Sequence, residues 1–190
     1  MKKHIISIAG LPGSGKSSAA AGIARELGYE HFSSGDLFRK MAAERGVSIE
    51  KMNFVAEEQK EIDRSVDEFL VSLGKEKDKF VVDSRTAFHW MPGSFKVFFS
   101  LDPHTASQRM FSQIQAGKRV SQVASSFDEL LANTLKRIES EKKRFHDLYH
   151  IDFTDAKNYD LVVDTGANDL EKVIALVIRA YKAWLADSTL

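Results

Sequence analysis

Cysteine is absent from the 190-residue sequence, which therefore forms no disulfide and has no thiolate zinc site or cysteine nucleophile. A net charge is also missing, because 27 basic side chains balance 27 acidic ones. This balance argues against a general nucleic-acid or membrane-surface binder, since such proteins usually carry a basic excess. No stretch approaches the ~20 apolar residues that span a bilayer. These absences favour a cytoplasmic protein with neither a nucleic-acid nor a membrane partner.

Proline is scarce, with three residues, and no linker, repeat or low-complexity tract divides the chain. The length fits one compact domain, and the apolar fraction of 43% is enough to build a core. The first residues, MKKHIISIAG, have the basic start and apolar run of a signal peptide. The run is short, however, and it leads into a glycine-rich loop without a small-residue cleavage site. We therefore interpret it as a buried strand.

Segments with the spacing of strands and of helices alternate along the chain. The predicted strands cover residues 4–9, 29–32, 79–83, 95–101 and 159–164. The predicted helices cover residues 15–27, 35–45, 61–74, 103–116 and 126–149, and a closing helix follows a capping box at Asn168 and Glu171. Strands separated by helices favour parallel pairing through right-handed crossovers. Ligands in such folds bind at the carboxyl ends of the strands.

Residues 10–17, with the sequence GLPGSGKS, match the phosphate-binding pattern G-x-x-x-x-G-K-[ST] in full. The glycines let backbone N–H groups curl around an anion, and the start of the next helix adds the positive end of its dipole. Lys16 can reach the β- and γ-phosphates of ATP, and the Ser17 hydroxyl can ligate Mg²⁺. A chance match is the alternative, but the strand before the loop and the helix after it are the context that the motif requires. The residues predicted to hold ATP are Gly10, Leu11, Pro12, Gly13, Ser14, Gly15, Lys16, Ser17 and Ser18.

An acid, Asp83, follows the apolar run Phe80-Val81-Val82. In a P-loop fold, an acid that leaves a strand beside the loop can hold the Mg²⁺ shell. A solvated acid at a strand end is the alternative, and it is common. Because the loop needs an acid near its metal, we favour Ser17 and Asp83 as the metal residues.

Two further segments resemble the nucleoside monophosphate kinases: SSGDLFR at 33–39 and DSR at 83–85. Within that family the chain is most similar to the compact cytidylate kinases of archaea and some bacteria. The segments that carry this closer resemblance are EID at 61–63, WM at 90–91, RIESEKKR at 137–144, YHID at 149–152 and YDLVV at 159–163. The resemblance runs almost from end to end of the chain.

The resemblance implies roles for side chains on both nucleotides. Ser34 and Arg39 would contact the nucleoside monophosphate, with Arg39 on its phosphate. Arg85 would grip that phosphate or the γ-phosphate of ATP, and Arg109 looks like the arginine that closes over the ATP side. The implied acceptor-binding residues are Ser34, Gly35, Asp36, Arg39, Asp63, Arg85 and Glu141.

A lid pattern of arginine, acid and arginine is formed by Arg137, Glu141 and Arg144. These residues are four and three positions apart, so they share one face of the predicted helix, and two guanidinium forks there could bind phosphate oxygens. The alternative is a solvent-facing helix with ordinary ion pairs, since Glu139 and Lys143 are also four apart. The resemblance favours the lid, in which the arginines clamp phosphates and the acid helps to recognise the acceptor nucleoside. The implied catalytic residues are Lys16, Arg85, Arg137 and Arg144.

The predicted fold is α/β: a P-loop NTPase with three layers, α/β/α, around a five-stranded parallel sheet. One domain covers residues 1–190, with a core of about 1–34, 79–116 and 150–190. An acceptor-binding segment of about 35–78 and a lid of about 117–149 are added to this core.

The implied function is phosphorylation of a nucleoside monophosphate by a monomer, with ATP as donor, Mg²⁺ as metal and CMP or dCMP as the favoured acceptor. Two alternatives stay open: a kinase for AMP or UMP, and a P-loop module that binds nucleotide without catalysis. A shikimate-type kinase is disfavoured because residues 33–39 look nucleotide-directed. Ser84 stands where the family often has glycine, and Phe88-His89 lengthens the stretch before Trp90. Both changes lie near the acceptor pocket, so the base preference is the open point.

Overall fold

The computed structural model describes residues 3–117 and 124–187. In these residues one sheet is formed by β1 (Ile5–Gly10), β2 (Glu30–Ser33), β3 (Phe80–Asp83), β4 (Phe95–Ser100) and β5 (Leu161–Asp164). The helices are α1 (Lys16–Leu27), α2 (Ser34–Glu44), α3 (Ile49–Glu58), α4 (Lys60–Glu76), α5 (Ala87–Trp90), α6 (Pro103–Gln115), α7 (Phe127–Tyr149) and α8 (Leu170–Ala186). None of the helices described is long and apolar enough to cross a membrane. Residues 118–123 of the predicted lid lie outside the described residues, as do positions 1, 2 and 188–190.

The strand order is β2-β3-β1-β4-β5, and every neighbouring pair is parallel. Ile8 of β1 pairs with Asp83 of β3, which also pairs with Ser33 of β2. The carboxyl ends of these three strands therefore meet at one edge of the sheet, beside the loop that follows β1. This topology confirms the predicted α/β P-loop fold and brings Asp83 to the phosphate loop.

The core lies on both faces of the sheet, because alternate residues of each strand point to opposite sides. On β1, Ile6 and Ile8 pack with α1 and α8, whereas Ile5 packs with α4 and α5. On β3, Val81 belongs to the first of these clusters and Val82 to the second. A parallel sheet covered on both faces needs apolar residues at nearly every strand position, and the strands have them.

All the predicted strands and helices are present, with ends shifted by one or two residues. Two helices were not predicted, α3 and α5. The first begins after Ser48, whose hydroxyl accepts from the N–H of Lys51 at 3.2 Å and caps the helix. The apolar pattern of α3 is short and includes the exposed Phe54, so the sequence gives only a weak signal for this helix.

The predicted capping box at Asn168 and Glu171 is wrong. Asp169 caps α8 by accepting from the N–H of Lys172 at 2.8 Å. Asn168 donates instead to the carbonyl oxygen of Asp164 at 2.7 Å and closes the turn after β5. Asn168 and Asp169 are both good capping residues, and the turn after β5 decides which of them caps α8.

Candidate active site

The phosphate loop joins β1 to α1, and its neighbours require glycine at two positions. Gly10 has φ of 150°, and a Cβ there would lie 2.6 Å from the carbonyl oxygen of Phe99. Gly13 has φ of 78°, and its Cβ would lie 2.8 Å from the carbonyl oxygen of Ala106. Larger residues are excluded at both positions, so β4 and α6 hold the loop in its curled shape.

Lys16 is the first residue of α1, and its side chain turns back into the loop. The ammonium group donates to the carbonyl oxygens of Gly10 and Leu11, both at 2.8 Å. Burial lowers the pKa of Lys16 well below its usual value, and repulsion from Arg85 adds to this effect. A phosphate beside the ammonium group would favour the charged form. Lys16 is therefore placed where a triphosphate would stabilise its charge.

Ser14 indicates that the loop suits an anion. Its side chain is buried, and its hydroxyl has no hydrogen-bond partner among the described residues. An unpaired buried hydroxyl costs about 1–3 kcal/mol. A phosphate oxygen that accepted from Ser14 would remove this cost, so the loop fits a triphosphate.

Asp83, at the end of β3, links α1 to β2 through its carboxylate. Its Oδ1 accepts from the hydroxyls of Ser17 at 3.1 Å and Ser33 at 3.0 Å, and its Oδ2 lies 2.9 Å from Nε2 of His31. Mg²⁺ prefers oxygen ligands, and a hydroxyl beside a carboxylate supplies them. Waters and substrate phosphates usually complete the coordination of the ion. Ser17 and Asp83 therefore lie where the predicted metal could be held. His31 was missed because nothing in the local sequence of a short strand indicates its partner on β3.

A cavity lies between α2, α4 and α7, and we call it the acceptor cavity after the predicted acceptor segment that lines much of it. The predicted residues that line it are Ser34, Gly35, Arg39, Asp63, Arg85, Arg137, Glu141 and Arg144. The structure adds residues that the sequence analysis did not assign: Phe38, Ile49, Asn53, Val66, Asp67, Ser84, Thr86 and Phe145.

Glu141 joins two arginines at the wall of this cavity. Its buried carboxylate forms an ion pair with Arg85 and accepts from Nε of Arg137 at 2.9 Å. Burial alone would raise the pKa of Glu141, but the two guanidinium groups hold it below its usual value. The guanidinium of Arg85 also lies 5.8 Å from the ring centre of Phe153. Glu141 therefore keeps both arginines in fixed positions.

Arg144 has a different environment from Arg137. Its Nε donates to Oδ2 of Asp63 at 2.9 Å, and its Nη1 donates to the carbonyl oxygen of Asn53 at 3.2 Å. Both members of the ion pair with Asp63 are buried. The pair ties α7 to α3 and α4, so Arg144 links the predicted lid to the predicted acceptor segment. Its role as a phosphate clamp stays a prediction.

Asp36 supports Arg39 from outside the cavity. Its exposed carboxylate accepts from Nη2 of Arg39 at 2.5 Å, and Asp36 itself does not line the cavity. Arg39 does line it. A direct contact of Asp36 with the acceptor stays a prediction, and the observed contact orients an arginine that faces the cavity.

Arg109 lies on the other side of the phosphate loop. Its Nη2 donates to the carbonyl oxygen of Thr165 at 2.8 Å. Together with Ser14 and Gly15 of the loop, it lines a cavity that extends to Asp169 at the start of α8, and we call this the donor cavity. This cavity continues from the loop and could take the base of ATP. The sequence analysis missed Thr165, Asn168 and Asp169 as cavity residues, because a short turn after a strand shows no sign of the cavity beside it.

Asp67 was not predicted as a site residue, yet it lines the acceptor cavity. Its Oδ1 accepts from Nε1 of Trp90 at 2.7 Å, and its Oδ2 accepts from the hydroxyl of Tyr149. Burial raises the pKa of Asp67 to about 6, although the two hydrogen bonds act to lower it. The negative charges of Asp63 and Glu68 add to the rise. The residue is only 7% exposed.

This raised pKa predicts a pH-dependent destabilisation by Asp67. The usual value is 3.8, so the folded protein binds the proton more tightly than the unfolded chain. The free energy of unfolding should therefore fall as the pH rises from about 4 to about 6 and stay lower above that range. We expect Asp67→Asn to raise the Tm by several degrees at about pH 8 and to change it little at about pH 3, below both pKa values. Thermal unfolding at both pH values measures this, and a Tm shift of equal size at both would contradict it.

Known proteins resemble this chain along nearly its whole length. A family model described as an AAA domain matches residues 9–144. The chain is 34% identical to the cytidylate kinase of Haloarcula marismortui, over 96% of this chain and 92% of that protein. It is 36% identical to the cytidylate kinase of Natronomonas pharaonis over the same shares. The chain belongs to the cytidylate kinase family.

Membership of the cytidylate kinase family confirms the resemblance predicted from the motifs and makes the protein a nucleoside monophosphate kinase. Among solved structures, the shikimate kinase from Bacteroides thetaiotaomicron matches with a TM-score of 0.61, covering 98% of both chains. The sequence identity is 13%, so this match shows the fold alone. The P-loop kinase fold is thus shared with a distant enzyme.

Proposed function

We propose that this cytidylate kinase family member transfers the γ-phosphoryl group of ATP to CMP or dCMP, forming ADP and CDP or dCDP. The observation that carries the proposal is the junction between the phosphate loop and the arginine-lined cavity. Asp83 joins the two sites: its carboxylate accepts from the hydroxyl of Ser17, next to Lys16 of the loop, and its carbonyl oxygen accepts from the hydroxyl of Ser34, which lines the cavity. The relatives named cytidylate kinase support a cytidine nucleotide as the acceptor.

In the proposed reaction, an oxygen of the acceptor phosphate attacks the γ-phosphorus of ATP. The bond from that phosphorus to the β–γ bridging oxygen breaks, and ADP leaves. The acceptor oxygen is already anionic, so no strong general base is needed. Lys16 neutralises the β- and γ-phosphates, while Arg85 and Arg137, held by Glu141, stabilise the group in transfer. Catalysis then comes from alignment and charge neutralisation.

Mg²⁺ is the metal that we propose for the loop, held by the Ser17 hydroxyl and the Asp83 carboxylate. Bound there, it would neutralise charge on the β- and γ-phosphates. Asp83 also accepts from Ser33, which caps α2. The same carboxylate therefore links the donor site to the start of the acceptor segment.

The acceptor segment, residues 35–78, and the lid, residues 117–149, are proposed to close over the two nucleotides. Closure would exclude water, which could otherwise hydrolyse ATP. The buried ion pair between Asp63 and Arg144 joins these two segments. The proposal includes a monomer in the cytoplasm, as the sequence analysis expected.

A coupled ADP-release assay with CMP, dCMP, UMP, AMP and GMP tests the proposal. ADP formation should depend on an added monophosphate and should be fastest with CMP or dCMP. A preference for AMP or UMP would favour the alternative kinase. ADP formed at the same rate without an acceptor would contradict transfer, and no ADP with any acceptor would favour the non-catalytic module.

Arg39 is the residue predicted to hold the acceptor phosphate. We expect Arg39→Ala to raise the KM for CMP about 10- to 100-fold, because a charged hydrogen bond contributes about 1.5–3 kcal/mol. The KM for ATP should change little, since Arg39 lines the acceptor cavity and not the donor cavity. Arg45→Ala is a matched control, because Arg45 follows the same helix but donates to Gln59 outside the cavity. Equal losses for both substrates would contradict the role of Arg39.

A further inference from the structure

Asp67 is a buried acid that the proposed mechanism does not use. Its hydrogen-bond donors, Trp90 and Tyr149, are both neutral, and within residues 3–117 and 124–187 no basic side chain forms an ion pair with it. By contrast, the other acids of the cavity wall, Asp63 and Glu141, are each paired with arginine. Each carboxylate oxygen can accept more than one hydrogen bond. Asp67 therefore has an uncompensated charge and accepting capacity at the wall of the acceptor cavity.

Asp67 contacts α7 away from the phosphate-binding arginines. Arg85 and Arg137 meet this helix at Glu141, whereas Asp67 meets it at Tyr149. The helical rise of about 1.5 Å per residue places these two points about 12 Å apart along the axis. An acceptor nucleotide with its phosphate at the arginines would therefore direct its base toward Asp67.

Cytosine and uracil differ at one edge of the ring. Cytosine has an exocyclic amino group, a hydrogen-bond donor, where uracil has a carbonyl oxygen, an acceptor. An ionised carboxylate only accepts hydrogen bonds, so it can bind the amino group but repels the carbonyl oxygen. Phe38 and Val66 also line the cavity, but apolar side chains cannot distinguish two rings of nearly equal size.

Resting on the proposed function, we infer that Asp67 selects cytosine over uracil by accepting a hydrogen bond from the 4-amino group of the acceptor base. With uracil, the buried carboxylate would face a carbonyl oxygen and stay unpaired. Because an unpaired buried group is costly, polar sites discriminate between substrates more strongly than apolar pockets do. Adenine also carries an amino group, so Asp67 by itself does not select against AMP.

The test compares kcat/KM for CMP and UMP in the wild-type protein and in Asp67→Asn, with calorimetric binding of both nucleotides. We expect the CMP-to-UMP ratio to fall by about 100-fold or more in Asp67→Asn. The amide NH₂ can donate to the uracil carbonyl, while the amide oxygen can still accept from Trp90. Glu68→Gln is the matched control, because it removes the adjacent, exposed acid of α4 and should leave the ratio unchanged.

A purely structural role for Asp67 predicts equal losses with CMP and UMP, and that result would overturn the inference. The wild-type protein provides a second test that does not depend on the folding of a variant. A CMP analogue with hydrogen in place of the 4-amino group should bind about 10- to 100-fold more weakly than CMP, and equal affinity would also overturn the inference. If no monophosphate supports ADP formation, the proposed function fails, while the ratio of CMP to UMP affinities still decides the role of Asp67.

Discussion

Replacing Lys16 with alanine is expected to lower kcat by about 10³-fold or more, since a single preorganised charge or donor at a transferring group has effects of this order. The ammonium group is buried inside the phosphate loop, held by the carbonyl oxygens of Gly10 and Leu11. Burial lowers the pKa of Lys16, so its charge is best compensated by a phosphate at the same place. Alanine removes the charge but leaves the glycines that shape the loop. Initial rates with saturating ATP and CMP measure the loss.

The fold should survive this substitution, because Lys16 forms no ion pair in the described part of the chain. Thermal unfolding of Lys16→Ala should therefore show a Tm within a few degrees of the wild type. Lys40→Ala serves as the control, since Lys40 is a 74% exposed lysine whose one ion pair, with Glu44, is long at 3.9 Å. Activity of Lys16→Ala within tenfold of the wild type would contradict the assignment of the loop.

Arg85→Met is expected to lower kcat by a similar factor of about 10³ or more and, unlike the lysine variant, to lower stability as well. Arg85 is largely buried, with 14% of its side chain exposed, and forms an ion pair with the buried Glu141. Removing one partner of a buried pair leaves the other charge uncompensated, at a cost of about 3–5 kcal/mol. Arg137 also pairs with Glu141 and should reduce that cost. The predicted result is a lower Tm together with a large loss of kcat.

The two effects of Arg85 can be separated with a double variant. Arg85→Met combined with Glu141→Gln removes the uncompensated negative charge, so the Tm should recover toward that of the wild type. The activity should stay low, because the positive charge for the transferring group is still missing. Recovery of activity along with stability would mean that Arg85 only supports the fold.

Asp67 illustrates how stability and selectivity can oppose each other at a binding site. Its burial without a cationic partner raises its pKa to about 6 and destabilises the ionised form of the protein. The lone pairs of the same carboxylate are what a base amino group would use at the cavity wall. A substitution that stabilises the protein while removing its preference for cytosine is the expected outcome of such a site.

Much of the donor site could be predicted from the sequence. The phosphate loop is a continuous segment, and its glycines, Lys16 and Ser17 act where the local chain places them. Asp83 could be predicted because a P-loop needs an acid at a neighbouring strand end. The lid face of Arg137, Glu141 and Arg144 follows from helical spacing alone.

The partners of these residues could not be predicted in the same way. Arg137 and Arg144 share a helix face, yet the first pairs with Glu141 and the second with Asp63, far away in the sequence. Which acid each arginine meets depends on how α4 packs against α7. The sequence analysis therefore proposed one shared clamp where the structure has two separate ion pairs.

The sequence by itself determined the alternation of strands and helices, the phosphate loop and the family, because each of these is encoded by residues close together in the chain. Only the tertiary structure decided that Asp67 of α4 meets Trp90 and Tyr149, and that Glu141 holds Arg85. Those contacts join residues between 23 and 82 positions apart. Long-range pairing depends on the angles and distances at which whole elements pack, and no local pattern of residues specifies these.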